Sequence, residues 1–256
     1  MKLIENLCYA VRESEALHLD LYLPDEPTFD LFVYFHGGGL ERGHKANTAV
    51  KVFAPWLAQR GIAVASCDYR KYPTAAYPDF ICDAAEAVAW LSSHIRDYGD
   101  CKGLFVGGSS AGGYLSMMLC YDGRWLGAHE PLPIPIAGYF HDAGQPTAHF
   151  RVLRERGIDQ RRVIVDDTAP LYHIGVLESY PPQMFVVSDN DMRNRLEQTQ
   201  LVLSTLRHFG YDEKKLSFRL MHGKHVAYCA KTDEVGDSVF GKMIWEWIRG
   251  LRGSTV

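Results

Sequence analysis

A serine between two glycines is the residue of this sequence with the clearest capacity for chemistry. The segment Gly108-Ser109-Ser110-Ala111-Gly112 has the pattern G-x-S-x-G, with Ser110 at its centre. Such a pattern forms a sharp turn from a strand into a helix and exposes the serine Oγ, since the glycines leave room for the turn. Apolar stretches at 104–106 and 111–121 flank it. The sequence therefore predicts that Ser110 is a nucleophile, the alternative being a glycine-rich turn without chemistry.

A second glycine run could stabilise the charge that such a nucleophile creates. His36-Gly37-Gly38-Gly39 directly follows a continuous apolar run at 31–35. Attack on a carbonyl carbon places negative charge on its oxygen, and the loss of one fixed N–H donor at that oxygen costs about 3–4 kcal/mol. Paired with the serine motif, the run predicts an oxyanion hole made by the N–H groups of Gly37, Gly38 and Ala111. Alone, it could equally hold a phosphate or simply turn the chain.

Together these motifs resemble a known family, the hormone-sensitive-lipase branch of the α/β hydrolases, near the acetyl esterases and feruloyl-esterase-like proteins. The resemblance covers about residues 17–121 and resumes from 183 to the end. It implies a serine, an acid and a histidine in that chain order, and neither a metal nor an organic cofactor. The features that carry it are HGGG at 36–39, Asp68-Tyr69-Arg70, Pro73, Pro78, Asp83, Trp90 and GSSAGG at 108–113.

The resemblance places the catalytic acid after a strand predicted at 184–187, where Asp189 and Asp191 both stand. In the family the acid commonly precedes a short turn that opens the next helix, which favours Asp191. Asp189 could instead fix the loop through bonds to the backbone. The acid orients the histidine and stabilises its cationic form during attack.

Two histidines follow the last predicted strand, at 216–221, and either could be the base. These are His222 and His225. A residue further into the loop reaches Ser110 more easily, and His225 also matches the family's histidine ahead of an aromatic residue. We therefore predict His225 as the base and His222 as a loop residue. His36 is expected to brace the glycine run.

The elements that must position these residues alternate between short β-type runs and longer helical stretches, which predicts a parallel sheet with helices on both faces. We expect one α/β-hydrolase domain over residues 1–256, with a mostly parallel sheet of about eight strands as the resemblance implies. Residues 121–182 break the rhythm and are interpreted as an excursion that shapes the substrate pocket. Strands are predicted at 17–23 (an edge strand), 31–35, 62–67, 104–106, 134–139, 184–187 and 216–221, and helices at 79–94, 111–121, 193–209 and 237–251.

Composition excludes several function classes. The 256 residues, 47% hydrophobic and 23% charged, suit one large globular domain. A net charge of −4 without a basic cluster argues against nucleic acid. Charged residues interrupt the N-terminus and no run reaches the ~20 apolar residues of a membrane span, so neither a secretory signal nor a membrane partner is expected. Six scattered cysteines without a C-x-x-C pair predict reduced thiols and a cytoplasmic protein. The oligomeric state stays open, a homo-oligomer included.

The predicted function is a serine carboxylesterase that hydrolyses small acyl esters through an acyl-enzyme. Glu41 and Arg42 stand where many relatives have an aromatic residue, and a polar stretch at 141–150 favours a polar alcohol such as an acetylated sugar. Three alternatives remain: an arylformamidase, a peptidase of the same fold, and a non-catalytic receptor of small molecules. His141, His149 and His173 lack metal-ligand spacing and are interpreted as surface or pocket-lining residues.

Overall fold

In the computed structural model of the protein, which describes residues 1–12 and 15–253, eight strands form one sheet. Their order is β1-β2-β4-β3-β5-β6-β7-β8. β2 runs antiparallel to β1 and β4, and the remaining neighbours are parallel. The predicted fold class is confirmed. The strands are β1 (Lys2–Arg12), β2 (Glu15–Leu23), β3 (Thr28–Phe35), β4 (Ile62–Cys67), β5 (Asp100–Ser109), β6 (Ile136–Asp142), β7 (Gln183–Asn190) and β8 (Leu216–Lys224).

Helices cover both faces of the sheet. Buried side chains of α1 and α7 belong to one apolar cluster, and those of α2, α3 and α6 belong to the other. The predicted helices 193–209 and 237–251 differ from α6 and α7 by at most two residues at either end. The α-helices are α1 (Thr48–Ala58), α2 (Asp79–His94), α3 (Ala111–Tyr121), α4 (Gly123–Gly127), α5 (Phe150–Glu155), α6 (Arg195–His208) and α7 (Val239–Gly253); 3-10 helices span Ile95–Asp97, Pro170–His173 and Glu213–Lys215.

The central strand β3 explains why the sheet is buried on both sides. Leu31, Val33 and Phe35 pack into the cluster beneath α2 and α3, whereas Phe32 and Tyr34 pack beneath α1 and α7. Successive side chains of a strand point to opposite faces, so a continuous apolar run can fill both layers. The run at 31–35 that sequence analysis singled out is this strand.

The prediction of residues 17–23 as an edge strand was wrong, because β1 pairs along the outer side of β2. β1 is mostly exposed, with Tyr9 its one buried residue, and its charged positions hide the alternation of a strand. The helix α1 was also missed, although Asn47 caps it by accepting the N–H of Val50 at 3.1 Å. Between β5 and β7, the stretch 121–182 contributes β6 to the middle of the sheet.

The parallel strands bring several loops to one edge of the sheet. β3, β5, β6, β7 and β8 are neighbours in that order and run in the same direction, so the segments after their carboxyl ends lie side by side. In such sheets this edge is where ligands bind. Among the residues that the structure describes, no helix is both long and apolar enough to cross a membrane.

A buried ion pair joins the segment after β4 to α2. Asp83 is fully buried and accepts from the Arg70 side chain through both carboxylate oxygens, at 2.9–3.2 Å, and from its backbone N–H at 2.9 Å. The Arg70 side chain is itself only 13% exposed. Removal of one partner from such a pair leaves an uncompensated buried charge.

We therefore expect Asp83→Ala to lower the free energy of unfolding by about 3–5 kcal/mol, measured by urea denaturation. Asp79→Ala is the matched control, because Asp79 lies 3.7 Å from the same arginine but its side chain is 41% exposed. Its loss should be about 1 kcal/mol or less. Equal losses in the two variants would contradict the importance of the buried pair.

Candidate active site

The backbone turn at Ser110 presents this side chain at the edge of the sheet. Ser110 follows β5, precedes α3, and has φ 56° and ψ −111°, a conformation that non-glycine residues rarely adopt. A Cβ on Gly108 would lie 2.5 Å from the backbone of Gly112 and 2.6 Å from the carbonyl oxygen of Phe35, so glycine is required there. The N–H of Ser110 donates to the carbonyl oxygen of Asp142 at 2.8 Å, which ties the turn to the end of β6.

Ser110, His225 and Asp191 form a continuous hydrogen-bonded chain. His225 Nε2 lies 2.9 Å from Ser110 Oγ, and His225 Nδ1 lies 2.6 Å from Asp191 Oδ1. With Nδ1–H donating to the carboxylate, Nε2 is free to accept the serine proton, which is the arrangement a general base needs. The side chain of His225 is 22% exposed and that of Asp191 only 1%, so solvent reaches the imidazole while the carboxylate is shielded.

The surroundings of Asp191 keep its carboxylate ionised. Burial raises the pKa of Asp191. The hydrogen bond and positive charge of His225, together with hydrogen bonds from the N–H groups of Met192 and Ser188, lower it by more. Those N–H groups donate to Asp191 at 2.7 and 3.3 Å. The net result is a pKa below the ordinary value, so Asp191 carries the negative charge that stabilises an imidazolium.

A second histidine–aspartate pair lies nearby but does not reach the serine. His222 Nδ1 lies 2.6 Å from Asp189 Oδ2, and the N–H of Gly223 donates to Asp189 at 2.9 Å. The side chain of His222 is 92% exposed. The geometry therefore brings Asp191 and His225 to Ser110 and leaves Asp189 and His222 as a surface pair.

The glycine run after β3 lies against Ser110. A Cβ on Gly37 would lie 3.2 Å from Ser110 Cβ, so this backbone passes directly beside the serine. Within residues 1–12 and 15–253, the N–H groups of Gly37 and Gly38 have no acceptor. Ala111 is the first residue of α3, where an N–H has no partner within the helix. These three donors can therefore meet an oxyanion formed at Ser110.

His36 and the segment after β4 brace that run. His36 is fully buried and stacks on Tyr69 with ring centroids 4.5 Å apart. The Tyr69 hydroxyl donates to the carbonyl oxygen of His36 at 2.8 Å, and His36 Nε2 lies 3.3 Å from Asp68 Oδ1. His36 thus has the bracing position that the sequence predicted, without contact to Ser110.

Asp142 is a buried carboxyl group that sequence analysis missed. It ends β6 and accepts from the Tyr228 hydroxyl and, at 3.3 Å, from Cys229 Sγ. Burial raises the pKa of Asp142 to about 6, although hydrogen bonds from Ser109, Tyr228 and Cys229 act in the opposite direction. The signal in the sequence was the polar stretch 141–150 after an apolar strand, which contains Asp142 but did not single it out.

The histidines of the excursion do not lie at the surface, which was one of the two expected positions. His141, His149 and His173 are buried, at 1%, 2% and 7% exposure, and His141 lines a small pocket. Residues 141–149 are all buried, but Gln145 and Phe150 line a cavity, so a sugar site in this stretch stays a prediction. Glu41, which follows the glycine run, forms an ion pair at 2.7 Å with Arg151 at the start of α5.

Comparison of the sequence with known proteins finds similarity to esterases. The BD-FAE family model matches residues 19–128. A probable isoprenylcysteine alpha-carbonyl methylesterase, ICMEL1 of Oryza sativa subsp. japonica, is 34% identical over 107 residues, which is 41% of this chain and 25% of that protein. Esterase LipC of Mycobacterium tuberculosis is 27% identical over 209 residues, or 72% of this chain and 50% of that protein. The match thus spans half or less of the length of these two relatives.

Comparison with solved structures extends over nearly the whole chain. The crystal structure of esterase B from Lactobacillus rhamnosis superposes with a TM-score of 0.76 over 98% of this chain and 85% of that one, at 19% identity. This likeness shows the α/β-hydrolase fold. The family model and the sequence relatives agree with the resemblance to esterases.

The raised pKa of Asp142 makes stability depend on pH. The pKa of Asp142 is about 6 in the folded protein, against an ordinary value of 3.8. Such an acid contributes most to the free energy of unfolding below pH 4, and this contribution is lost as pH rises through 6. We expect the unfolding free energy of the protein, relative to that of Asp142→Asn, to fall by roughly 2 kcal/mol between pH 4.5 and 7.5. Denaturant titrations at both pH values measure this difference, and a difference independent of pH would contradict it.

Proposed function

We propose that this chain, which has the α/β-hydrolase fold and is similar in sequence to esterases, is a serine carboxylic ester hydrolase that works through an acyl-enzyme. The observation that carries the proposal is the relay from Asp191 through His225 to Ser110, with distances of 2.6 and 2.9 Å, beside the free N–H groups of the glycine run. A nucleophile, its base, the residue that orients the base, and oxyanion donors are the parts that acyl transfer needs.

In the proposed mechanism Ser110 attacks the ester carbonyl carbon while His225 Nε2 accepts the serine proton. Negative charge develops on the carbonyl oxygen and is met by the N–H groups of Gly37, Gly38 and Ala111. His225 then protonates the alcohol oxygen, the C–O bond breaks, and the alcohol leaves. Water attacks the acyl-serine by the same route and releases the carboxylic acid.

The substrate we propose is a small ester with a polar or charged part. The ion pair between Glu41 and Arg151 supports this, because it places charge immediately after the glycine run. The buried stretch 141–149 gives no support to an acetylated carbohydrate in particular. A purely receptor-like role is disfavoured by the 2.9 Å contact between His225 and Ser110, which a binding protein does not need.

Hydrolysis of p-nitrophenyl acetate, butyrate and decanoate by the purified protein tests the proposal. We expect release of p-nitrophenol from the short esters, and a rate at background for Ser110→Ala because the nucleophile is gone. Activity that survives in Ser110→Ala would contradict the assignment. If every ester is inert but an N-formyl arylamine is cleaved, the arylformamidase alternative replaces the esterase.

The two histidines provide a matched pair of variants for the base. His225→Ala should lower kcat at least about 10³-fold, since the triad acts as a unit. His222→Ala should stay within about twofold of the unaltered protein, because that side chain is 92% exposed and contacts Asp189 only. Comparable losses in the two variants, with circular dichroism unchanged, would show that the base has been misassigned.

A further inference from the structure

An arginine-rich cavity lies next to the proposed catalytic residues. Its volume is about 580 Å³, and it is formed by the start of α6, the turn before it, and the segments around α5. Four arginines line it, and no aspartate or glutamate does: Arg161, Arg162, Arg193 and Arg195. The chain as a whole has a net charge of −4, so this concentration of positive charge is local.

Two contacts connect the cavity to the active site. Met192 lines the cavity and also donates its backbone N–H to Asp191 at 2.7 Å. On the other side, Phe150 lines the cavity and lies against the glycine run, since a Cβ on Gly39 would be 3.1 Å from Phe150 Cζ. Two residues of the cavity lining therefore contact Asp191 and the glycine run, which places the cavity beside the proposed site of the ester.

Arg195 distinguishes this cavity from a patch of solvated surface arginines. It is 4% exposed, and its guanidinium donates to the carbonyl oxygen of Ala143. In the described residues no carboxylate forms an ion pair with it. Burial lowers its pKa to about 10, with the charge of Asp191 acting the opposite way, so Arg195 is still cationic at neutral pH. A buried cation without an anionic partner is costly, and a bound anion would compensate it.

Two exposed arginines at the rim are also available. Arg161 is paired with Asp159 at 2.5 Å, but Arg162 and Arg193 take part in no ion pair among residues 1–12 and 15–253. Guanidinium groups bind carboxylates and phosphates through paired N–H donors. We propose that this cavity binds an anionic group, a carboxylate or a phosphate, so that the substrate is a negatively charged ester. The claim that the substrate is an ester rests on the proposed function, and the claim that it is negatively charged rests on the lining of the cavity.

Matched neutral and anionic esters test the proposal. The anion is placed on the alcohol in 4-acetoxybenzoate and 4-acetoxyphenyl phosphate, with methyl 4-acetoxybenzoate as the neutral ester. It is placed on the acyl group in mono-4-nitrophenyl adipate, with its methyl ester as the neutral counterpart. The quantity measured is the ratio of kcat/KM for each anionic ester to that for its neutral counterpart, at low salt.

We expect the double substitution Arg162→Gln and Arg193→Gln to lower this ratio about tenfold in at least one series, because charge-assisted hydrogen bonds to the anion are lost. Arg219→Gln removes the same charge from an exposed site on β8 that pairs with Glu246, and should leave the ratio unchanged. The series that responds identifies whether the bound anion is a carboxylate or a phosphate. It also identifies whether the acyl or the alcohol part of the ester carries this anion. A ratio that is the same in all three proteins for every series overturns the proposal.

Binding distinguishes this inference from the proposed function. If the unaltered protein cleaves no ester, the function fails, and calorimetry with Ser110→Ala decides the cavity. The ligands are 4-hydroxybenzoate, 4-hydroxyphenyl phosphate and adipate, against methyl 4-hydroxybenzoate and dimethyl adipate. Binding of an anionic ligand that weakens at least about tenfold with the double substitution supports the anion site. Equal affinity for anionic and neutral ligands, or none for either, overturns it.

Discussion

The close backbone approach between the end of β3 and the start of α3 is the constraint on which the site depends. A side chain on Gly112 would overlap the carbonyl group of Phe35, and one on Gly108 would overlap Gly112. This contact is made by backbone atoms, and the Tyr34 hydroxyl adds a side-chain bond by donating to Ser109 Oγ at 3.0 Å. The glycine run and Ser110, which flank the contact, are therefore held side by side at the centre of the sheet.

A second set of interactions holds the glycine run from the side opposite the nucleophile. Tyr69 stacks on His36 and donates to its carbonyl oxygen, and Arg70, the next residue, is held by Asp83 of α2. The position of the run thus depends on β4 and α2, although neither supplies a group that touches Ser110. This explains in physical terms why the motif Asp68-Tyr69-Arg70 and Asp83 accompany HGGG and GSSAGG in the resemblance.

The sequence predicted those parts of the site that local patterns determine. Ser110 and the glycine run each follow a short apolar strand directly, so their placement needs only a strand and a turn. The acid and the base were harder to predict, because each loop offers two candidates, two residues apart for the aspartates and three for the histidines. The structure pairs Asp189 with His222 and Asp191 with His225. Burial of His141, His149 and Asp142 could not be predicted, since it depends on β6 lying between β5 and β7. The outer strand β1 was missed because its side chains are mostly exposed.

The proposed anion site bears on the proposed chemistry through electrostatics. In the proposed mechanism His225 gains a positive charge when Ser110 attacks, and cations close to Asp191 compete with that charge for its carboxylate. Asp191 lies between these influences, since its carboxylate accepts from His225 and its negative charge also acts on Arg195. An anionic substrate group bound to the arginines would neutralise their field and leave Asp191 to stabilise the imidazolium. Binding energy remote from the ester would then favour the transition state as well as the complex, so charge on the substrate would raise kcat as well as affinity.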